Sequence, residues 1–225
     1  IFVKFHFQHI ICYIEIMPEI SVSTFLICNI IAALCTMAVI AAVFIDFILY
    51  HKSGKVKHRR KSIVETGSMF AYFLVFYLLL RSGNGRIAFN SQLTNDLISV
   101  LGAILIVTGS IVNLTGRFRL KQQWANQIVI YQGHEHINSG IYSYLRHPLY
   151  ASLIWMFIGA SFIYTDYISL LSVIVIFIPM MYYRARLEEK LLMKEFPGYK
   201  KYIAKTGMFI PKVDSLLNLS TLKNK

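Results

Sequence analysis

The sequence predicts an all-α integral membrane protein of about five transmembrane helices, a class set by where its apolar and charged residues fall. Hydrophobic residues make up 56% of the 225 positions and charged residues only 15%, and the mean hydropathy is +0.55. Several apolar runs approach or exceed the ~20 residues that a helix needs to cross a bilayer. The basic residues collect just past the ends of these runs. In His51 to Lys61, for example, Lys52, Lys55, Lys57, Arg59, Arg60 and Lys61 share one short stretch.

Each membrane segment is then read from its apolar run. The first is expected from about Ser23 to Leu49, the second from Ile63 to Leu80 and the third from Leu97 to Leu114. The fourth starts at Pro148 or Leu149 and ends near Tyr164, and the fifth covers Tyr167 to Tyr183. Asp166 sits in a very tight connection, so the last two segments should form an antiparallel helical hairpin. From Arg184 an amphipathic helix is expected, with Leu187, Leu191, Leu192 and Phe196 near one face. Pro197-Gly198 ends it, and Tyr199, Tyr202 and Ile203 suggest a short further turn at the membrane surface.

Basic residues set the orientation. Lys52–Lys61 holds six Lys and Arg, Arg117–Lys121 holds three, and Arg184–Lys201 is again rich in them. The opposite loops hold Arg81 and Arg86 in one case and Asp166 in the other. Five crossings place all three basic regions on one side, with the N-terminus outside and the C-terminus in the cytosol.

Residues 1–16 are expected to be a mis-assigned or truncated N-terminal extension, because Met17-Pro18-Glu19-Ile20 directly precedes the first long apolar run. Residues 17–96 would hold the first two helices and their basic loop. Residues 97–211 would form a core of helices three to five with a polar loop and the amphipathic helix, and 212–225 a tail. A net charge of +12 invites a nucleic-acid reading. The charges cluster at helix ends, however, which fits the lipid bilayer as partner and argues against nucleic acid. Cys12, Cys28 and Cys35 contain no CxxC pair and imply no disulfide framework.

Two polar clusters can carry chemistry: Gln127 to Tyr150, reading QIVIYQGHEHINSGIYSYLRHPLY, and RARLEEK from Arg184 to Lys190. The hairpin between them returns the chain to the side it left, so the two can meet. Pro148 suits the first turn of a helix, whose free N–H groups and positive dipole end favour an anionic or electron-rich group. Gly140 permits a turn or the close approach of a ligand. Arg184 and Glu188 are spaced i,i+4 on one helix face, and Glu189 points about a quarter-turn away.

Taken singly, these residues also fit plainer roles. Arg146 and Arg184 suit headgroup anchors, and Tyr142, Tyr144 and Tyr150 suit an interfacial belt. Arg184–Glu188 suits a surface ion pair of a few tenths of a kcal/mol. Asp46 and Glu65 are expected to pair with Lys or Arg, and Asn113 to join helices. His134, His136 and His147 lack the further ligands that a metal site needs, so no metal is expected.

The combination is more specific than its parts. His134-x-x-Ile137-x-x-Gly140-x-Tyr142-x-x-x-Arg146-His147-Pro148-x-Tyr150, then Arg184-x-x-x-Glu188-Glu189, Phe196-x-Gly198-Tyr199-x-x-Tyr202 and Pro211, resembles the isoprenylcysteine carboxyl methyltransferases and their bacterial relatives. That superfamily also includes phospholipid N-methyltransferases, and the resemblance covers about Leu97 to Pro211.

The resemblance implies a methyltransferase using S-adenosyl-L-methionine, with a cytosolic cofactor site formed by the 116–150 loop and the helix after 184. The implied cofactor contacts are Gln127, His134, Glu135, His136, Ile137, Gly140, Tyr142, Arg146, His147, Pro148, Leu149, Tyr150 and Glu188. His136 stands where the family has leucine. Arg184 is implied to orient the acceptor, and Arg184 and Glu188 are the catalytic candidates. The acceptor would be lipophilic or lipidated, with a carboxylate, amine or thiol as nucleophile. A carboxylate needs no base, whereas an amine or thiol would draw on His147 or a glutamate. The competing readings are a membrane reductase of the sterol-reductase type using NADPH, and a non-enzymatic scaffold or transporter subunit.

Overall fold

The computed structural model describes the backbone of residues 21–50, 56–60, 63–120, 128–131 and 137–212. Helices dominate it. They are α1 (Val22–Tyr50), α2 (Ile63–Ser82), α3 (Gln92–Leu120), α4 (Pro148–Ile163), α5 (Tyr167–Ser172), α6 (Ile178–Glu195) and α7 (Tyr199–Lys205). A π-helical stretch, Val173–Phe177, joins α5 to α6 as one long rod.

Three of these rods are long and apolar enough to cross a bilayer: Val22–Asp46, Gln92–Leu120 and Tyr167–Glu195. The other two apolar helices are shorter, Gly67–Ser82 within α2 and Pro148–Ile163. Large side chains point outward along the rods, among them Ile48 (78% exposed) and Phe70 (73%). So much outward apolar surface suits lipid better than water.

Helix α4 sits between two apolar clusters. On one side Ile163 packs with Phe25 and Cys28 of α1 and Ala103 and Ile106 of α3. On the other, Ile154 packs with Tyr72 and Phe76 of α2 and with Val173, Phe177 and Met181. The α3–α4 contact is the tightest. A Cβ on Gly102 would lie 2.5 Å from the Gly159 carbonyl oxygen, and a Cβ on Gly159 would lie 2.5 Å from that of Gly102. Only glycine at both positions lets the backbones approach so closely.

The turn between α4 and α5 is as tight as the sequence requires. Thr165 takes a positive φ of 44°, and Asp166 caps α5 by accepting from the Ser169 amide at 2.7 Å. The amphipathic helix after Arg184 is the second half of α6. It ends at Glu195 ahead of Phe196-Pro197-Gly198, and α7 supplies the expected further turn.

The all-α expectation holds for the bulk of the described chain, beside which one short ribbon is found. Two short strands, β1 (Val56–Arg60) and β2 (Ile128–Tyr131), pair antiparallel, with Arg60 opposite Ile128, Arg59 opposite Val129 and His58 opposite Ile130. The signal for β2 was its run of β-branched and aromatic residues, which was read as part of an undivided polar loop. Its partner β1 is a basic strand that hydrophobic periodicity cannot reveal.

Candidate active site

Helix ends gather at one end of the bundle. Asp46 near the end of α1 accepts from Arg117 Nη1 of α3 at 2.6 Å. Arg117 Nε also donates to Asn113 at 2.8 Å, and Asn113 Nδ2 donates to Ser152 of α4 at 2.7 Å. Asp46 is therefore paired with an arginine and Asn113 bridges helices. The Glu65 side chain lies outside the described residues.

The same end carries the polar clusters. Gly140–Ser143 forms a 3-10 turn, with Gly140 at a φ of 64°. A Cβ there would meet the Arg119 guanidinium at 2.7 Å, so the left-handed backbone and the close side chain both call for glycine. Tyr142 follows, buried, and its carbonyl accepts from the Tyr202 hydroxyl of α7 at 2.6 Å. Burial first, and then nearby Glu188, push the Tyr142 hydroxyl well above the usual phenol range. It stays protonated.

The segment 144–147 is strapped by the chain after α7. Arg146 N donates to the Gly207 carbonyl at 2.8 Å, and Gly207 N returns a bond to Tyr144 O at 3.1 Å. The Arg146 guanidinium reaches the carbonyls of Ile203 and Thr206. This fixes Arg146 and His147 just ahead of Pro148, which occupies the first turn of α4.

Across from them, α6 presents two consecutive glutamates. Glu189 is fully buried and accepts from Arg146 Nε at 2.7 Å. His147 lies between both carboxylates, with Nε2 3.3 Å from Glu189 Oε1 and Nδ1 3.6 Å from Glu188 Oε2. Burial alone would keep this imidazole neutral, but hydrogen bonds to Glu188 and Glu189 outweigh it and raise the pKa of His147 above the ordinary value. Tyr150, stacked parallel to the His147 ring at 5.5 Å, donates to Glu188 at 3.1 Å and accepts from Arg184 Nε at 3.1 Å. Arg184, 8% exposed, also lies over the Tyr150 ring and against Met69 of α2.

Of the residues expected from sequence, the structure thus brings Arg146, His147, Tyr150, Arg184 and Glu188 into one bonded group. Tyr142 and Gly140 adjoin it through α7 and α3. Pro148 and Leu149 pack on Gly116 of α3, where a Cβ would lie 3.1 Å from Leu149 Cδ2. Ile137, half-buried, precedes the 3-10 turn. Gln127, His134, Glu135 and His136 lie outside the described residues. Glu189 was the residue that sequence reading left out of the site. The signal available was its place directly after Glu188.

The donor set fits S-adenosyl-L-methionine by its chemistry. Glu188 keeps 35% of its side chain exposed while Tyr150 and His147 hold its Oε2. A carboxylate oriented in this way, beside aromatic rings, suits a ligand bearing an ammonium, a sulfonium and ribose hydroxyls.

Part of the chain is similar to known proteins. Residues 101–194 match the sequence model of the Isoprenylcysteine carboxyl methyltransferase (ICMT) family. Over 128 residues the chain is 30% identical to the Protein-S-isoprenylcysteine O-methyltransferase of Saccharomyces cerevisiae. The alignment covers 55% of this chain and 53% of that protein, so the chain spans about half the length of the relative it matches. The matched segment contains α4, both glutamates and the whole Arg146–His147–Tyr150 group. With its long apolar helices the chain is an integral membrane protein, and its residues 101–194 are similar to the isoprenylcysteine carboxyl methyltransferase family.

Proposed function

We propose that the protein is an S-adenosyl-L-methionine-dependent methyltransferase of five membrane crossings that methylates the carboxylate of a lipophilic or lipidated acceptor at the cytosolic membrane face. The observation that carries this reading is the bonded group in which Glu188 and Glu189 of α6 hold His147, Arg146 and Tyr150 at the start of α4. The family match supports it over the reductase and scaffold readings. Counting α2 and α4 as crossings, beside the three longer rods, supports the five-span topology and puts the basic regions on one side.

The carboxylate is favoured on two grounds. The yeast relative is named an O-methyltransferase. Moreover, an amine or thiol must lose a proton, and His147 is poorly suited to take it: each of its nitrogens faces a carboxylate, which favours the imidazolium. A carboxylate acceptor needs no such base.

When bound, the cofactor supplies an electrophilic methyl group on a sulfonium. The chain's own residues then align and hold. Glu188, oriented by Tyr150, hydrogen-bonds the cofactor. Arg184, oriented by the same Tyr150 hydroxyl, positions the acceptor carboxylate. Alignment of this kind can supply several kcal/mol, up to ~7–11 in well-oriented systems.

The test is incubation of purified protein with methyl-labelled cofactor and total membrane extract. Label in a base-labile ester on a lipophilic product is expected. Label recovered only in amines or thioethers would overturn the carboxylate assignment, and no label in any product would overturn the enzyme reading.

A further inference from the structure

Helix α2 lies outside the residues 101–194 that match the family, and the chemistry above assigns it no part. It nevertheless touches the site. Arg184 Nη1 of α6 donates to the sulfur of Met69 at 2.8 Å. Met69 is half-buried in the second turn of α2, at the end of the bundle that carries the site.

One packed face of α2 leads up to this contact. Met69, Tyr72 and Phe76 follow at the i, i+3, i+7 spacing that aligns side chains along a helix. Tyr72 and Phe76 are each only 4% exposed. Tyr72 stacks on Phe177 at 4.6 Å, and its hydroxyl lies 3.2 Å from Ser172 Oγ. Phe76 meets Phe157 of α4 at 4.5 Å. Towards the start of the helix this packing thins. Phe70 turns outward, and a Cβ on Gly67 would have nothing within 4 Å. Met69 thus meets Arg184 where the packed seam of α2 gives way to open space.

The contact is of a kind that can be exchanged. A thioether is a weak acceptor, whereas a carboxylate on a guanidinium forms a strong, charge-assisted pair. Replacing the sulfur on Nη1 by an anionic oxygen therefore runs downhill. Methionine is unbranched with three rotatable bonds, so its sulfur can swing off Arg184 while Tyr72 and Phe76 hold the helix. An ester product has lost the charge, and the sulfur can then return.

We propose that Met69 sets the affinity for the acceptor: its thioether keeps the place of the acceptor carboxylate on Arg184 in the empty site, and an acceptor must displace it. This role rests on the reading of Arg184 as the residue that positions the acceptor. The displacement enters the KM for the acceptor and leaves the cofactor affinity untouched.

The experiment uses the full chain in nanodiscs with N-acetyl-S-farnesylcysteine as the carboxylate probe, an isoprenylated cysteine like that in the name of the yeast relative. Met69→Leu keeps the bulk without the sulfur, and Met69→Gln offers a stronger, carbonyl acceptor. The KM for the probe should fall about threefold in the first and rise about threefold in the second, the low end of one net hydrogen bond. The kcat and the dissociation constant of S-adenosylhomocysteine should not change, as expected when binding alone is altered. Phe70→Leu, on the outward side, should match the wild type throughout. A second measurement needs no turnover: modification of Arg184 by the arginine reagent phenylglyoxal, read by peptide mass. Met69→Ala should speed it several-fold, and the probe should slow it.

Unchanged KM values, or shifts of one sign in both variants, overturn the placeholder; if Arg184→Ala is inactive, the reading of Arg184 still stands. Equal labelling of wild type and Met69→Ala removes the contact itself. Faster labelling in Met69→Ala, with the probe neither protecting Arg184 nor becoming methylated, removes Arg184 as the acceptor residue and the placeholder with it.

Discussion

Glu189 accepts a hydrogen bond from Arg146 Nε at 2.7 Å across 43 positions of sequence, with none of its side chain exposed. The same oxygen faces His147 Nε2 at 3.3 Å. One carboxylate therefore compensates two cationic groups at the start of α4, while its neighbour Glu188 is left partly open. The difference is spatial: Glu189 is sealed inside the fold, and Glu188 keeps 35% of its side chain exposed.

Removing the Glu189 charge should cost stability first. Glu189→Ala leaves Arg146 and His147 buried beside a void, and breaking a buried pair in this way costs about 3–5 kcal/mol. Thermal unfolding in detergent should show a clear drop in midpoint, with Glu189→Gln falling between the variant and the wild type. An unchanged midpoint for both would mean the pair contributes nothing to the fold.

Changes at Arg184 and Glu188 should spare the fold and remove turnover. Arg184→Ala and Glu188→Ala are each expected to lower methyl transfer by about 100-fold or more, the scale of a misaligned reacting pair. Membrane insertion, followed by protease protection, should not change. Near wild-type turnover in both variants would rule out the assigned site.

His147 should make stability depend on pH in a stated direction. Its folded pKa lies above the ordinary imidazole value, so between the unfolded and folded values the native state binds more protons than the unfolded chain. Stability then falls as pH rises. The contribution is complete below the unfolded pKa of about 6.5 and is lost as pH climbs through the folded pKa. His147→Gln should flatten that part of the profile. A wild-type midpoint that rises across the same window would contradict the imidazolium assignment.

The Gly102–Gly159 contact tests the packing that places α4. Gly159→Ala puts a methyl carbon 2.5 Å from the Gly102 carbonyl oxygen and 2.8 Å from Ile106 Cγ1, so α3 and α4 must move apart. Overpacking of this kind costs roughly 1–3 kcal/mol, and a lowered melting midpoint is expected. Gly198→Ala, with nothing within 4 Å of the added carbon, is the control and should shift the midpoint little.

Much of the architecture was legible before any coordinates. Apolar runs and their basic flanks placed the first two helices within two residues and the third within six, because hydropathy in a membrane protein reports a bilayer-scale property of a continuous segment. Pro148, the Asp166 turn and Phe196-Pro197-Gly198 marked ends correctly, since backbone restriction and capping act locally. The Arg146-His147-Pro148-x-Tyr150 and Arg184-x-x-x-Glu188-Glu189 spacings carried the resemblance, and both lie within the residues 101–194 that match the family's model.

Other features were decided only by the tertiary structure. Adjacent positions on a helix differ by about 100°, so whether Glu188 or Glu189 is the buried partner depends on the rotation of α6 against α4, which spacing does not encode. The pairing of β1 with β2 joins segments separated by two helices and depends on their ends meeting, as the Asp46–Arg117 bond shows they do. His147 owes its raised pKa to two carboxylates brought from α6. The sequence determined which segments would enter lipid and which residue types would meet at its edge. Long-range packing determined which of those side chains are shielded from water, and burial sets the strength of every charge interaction among them.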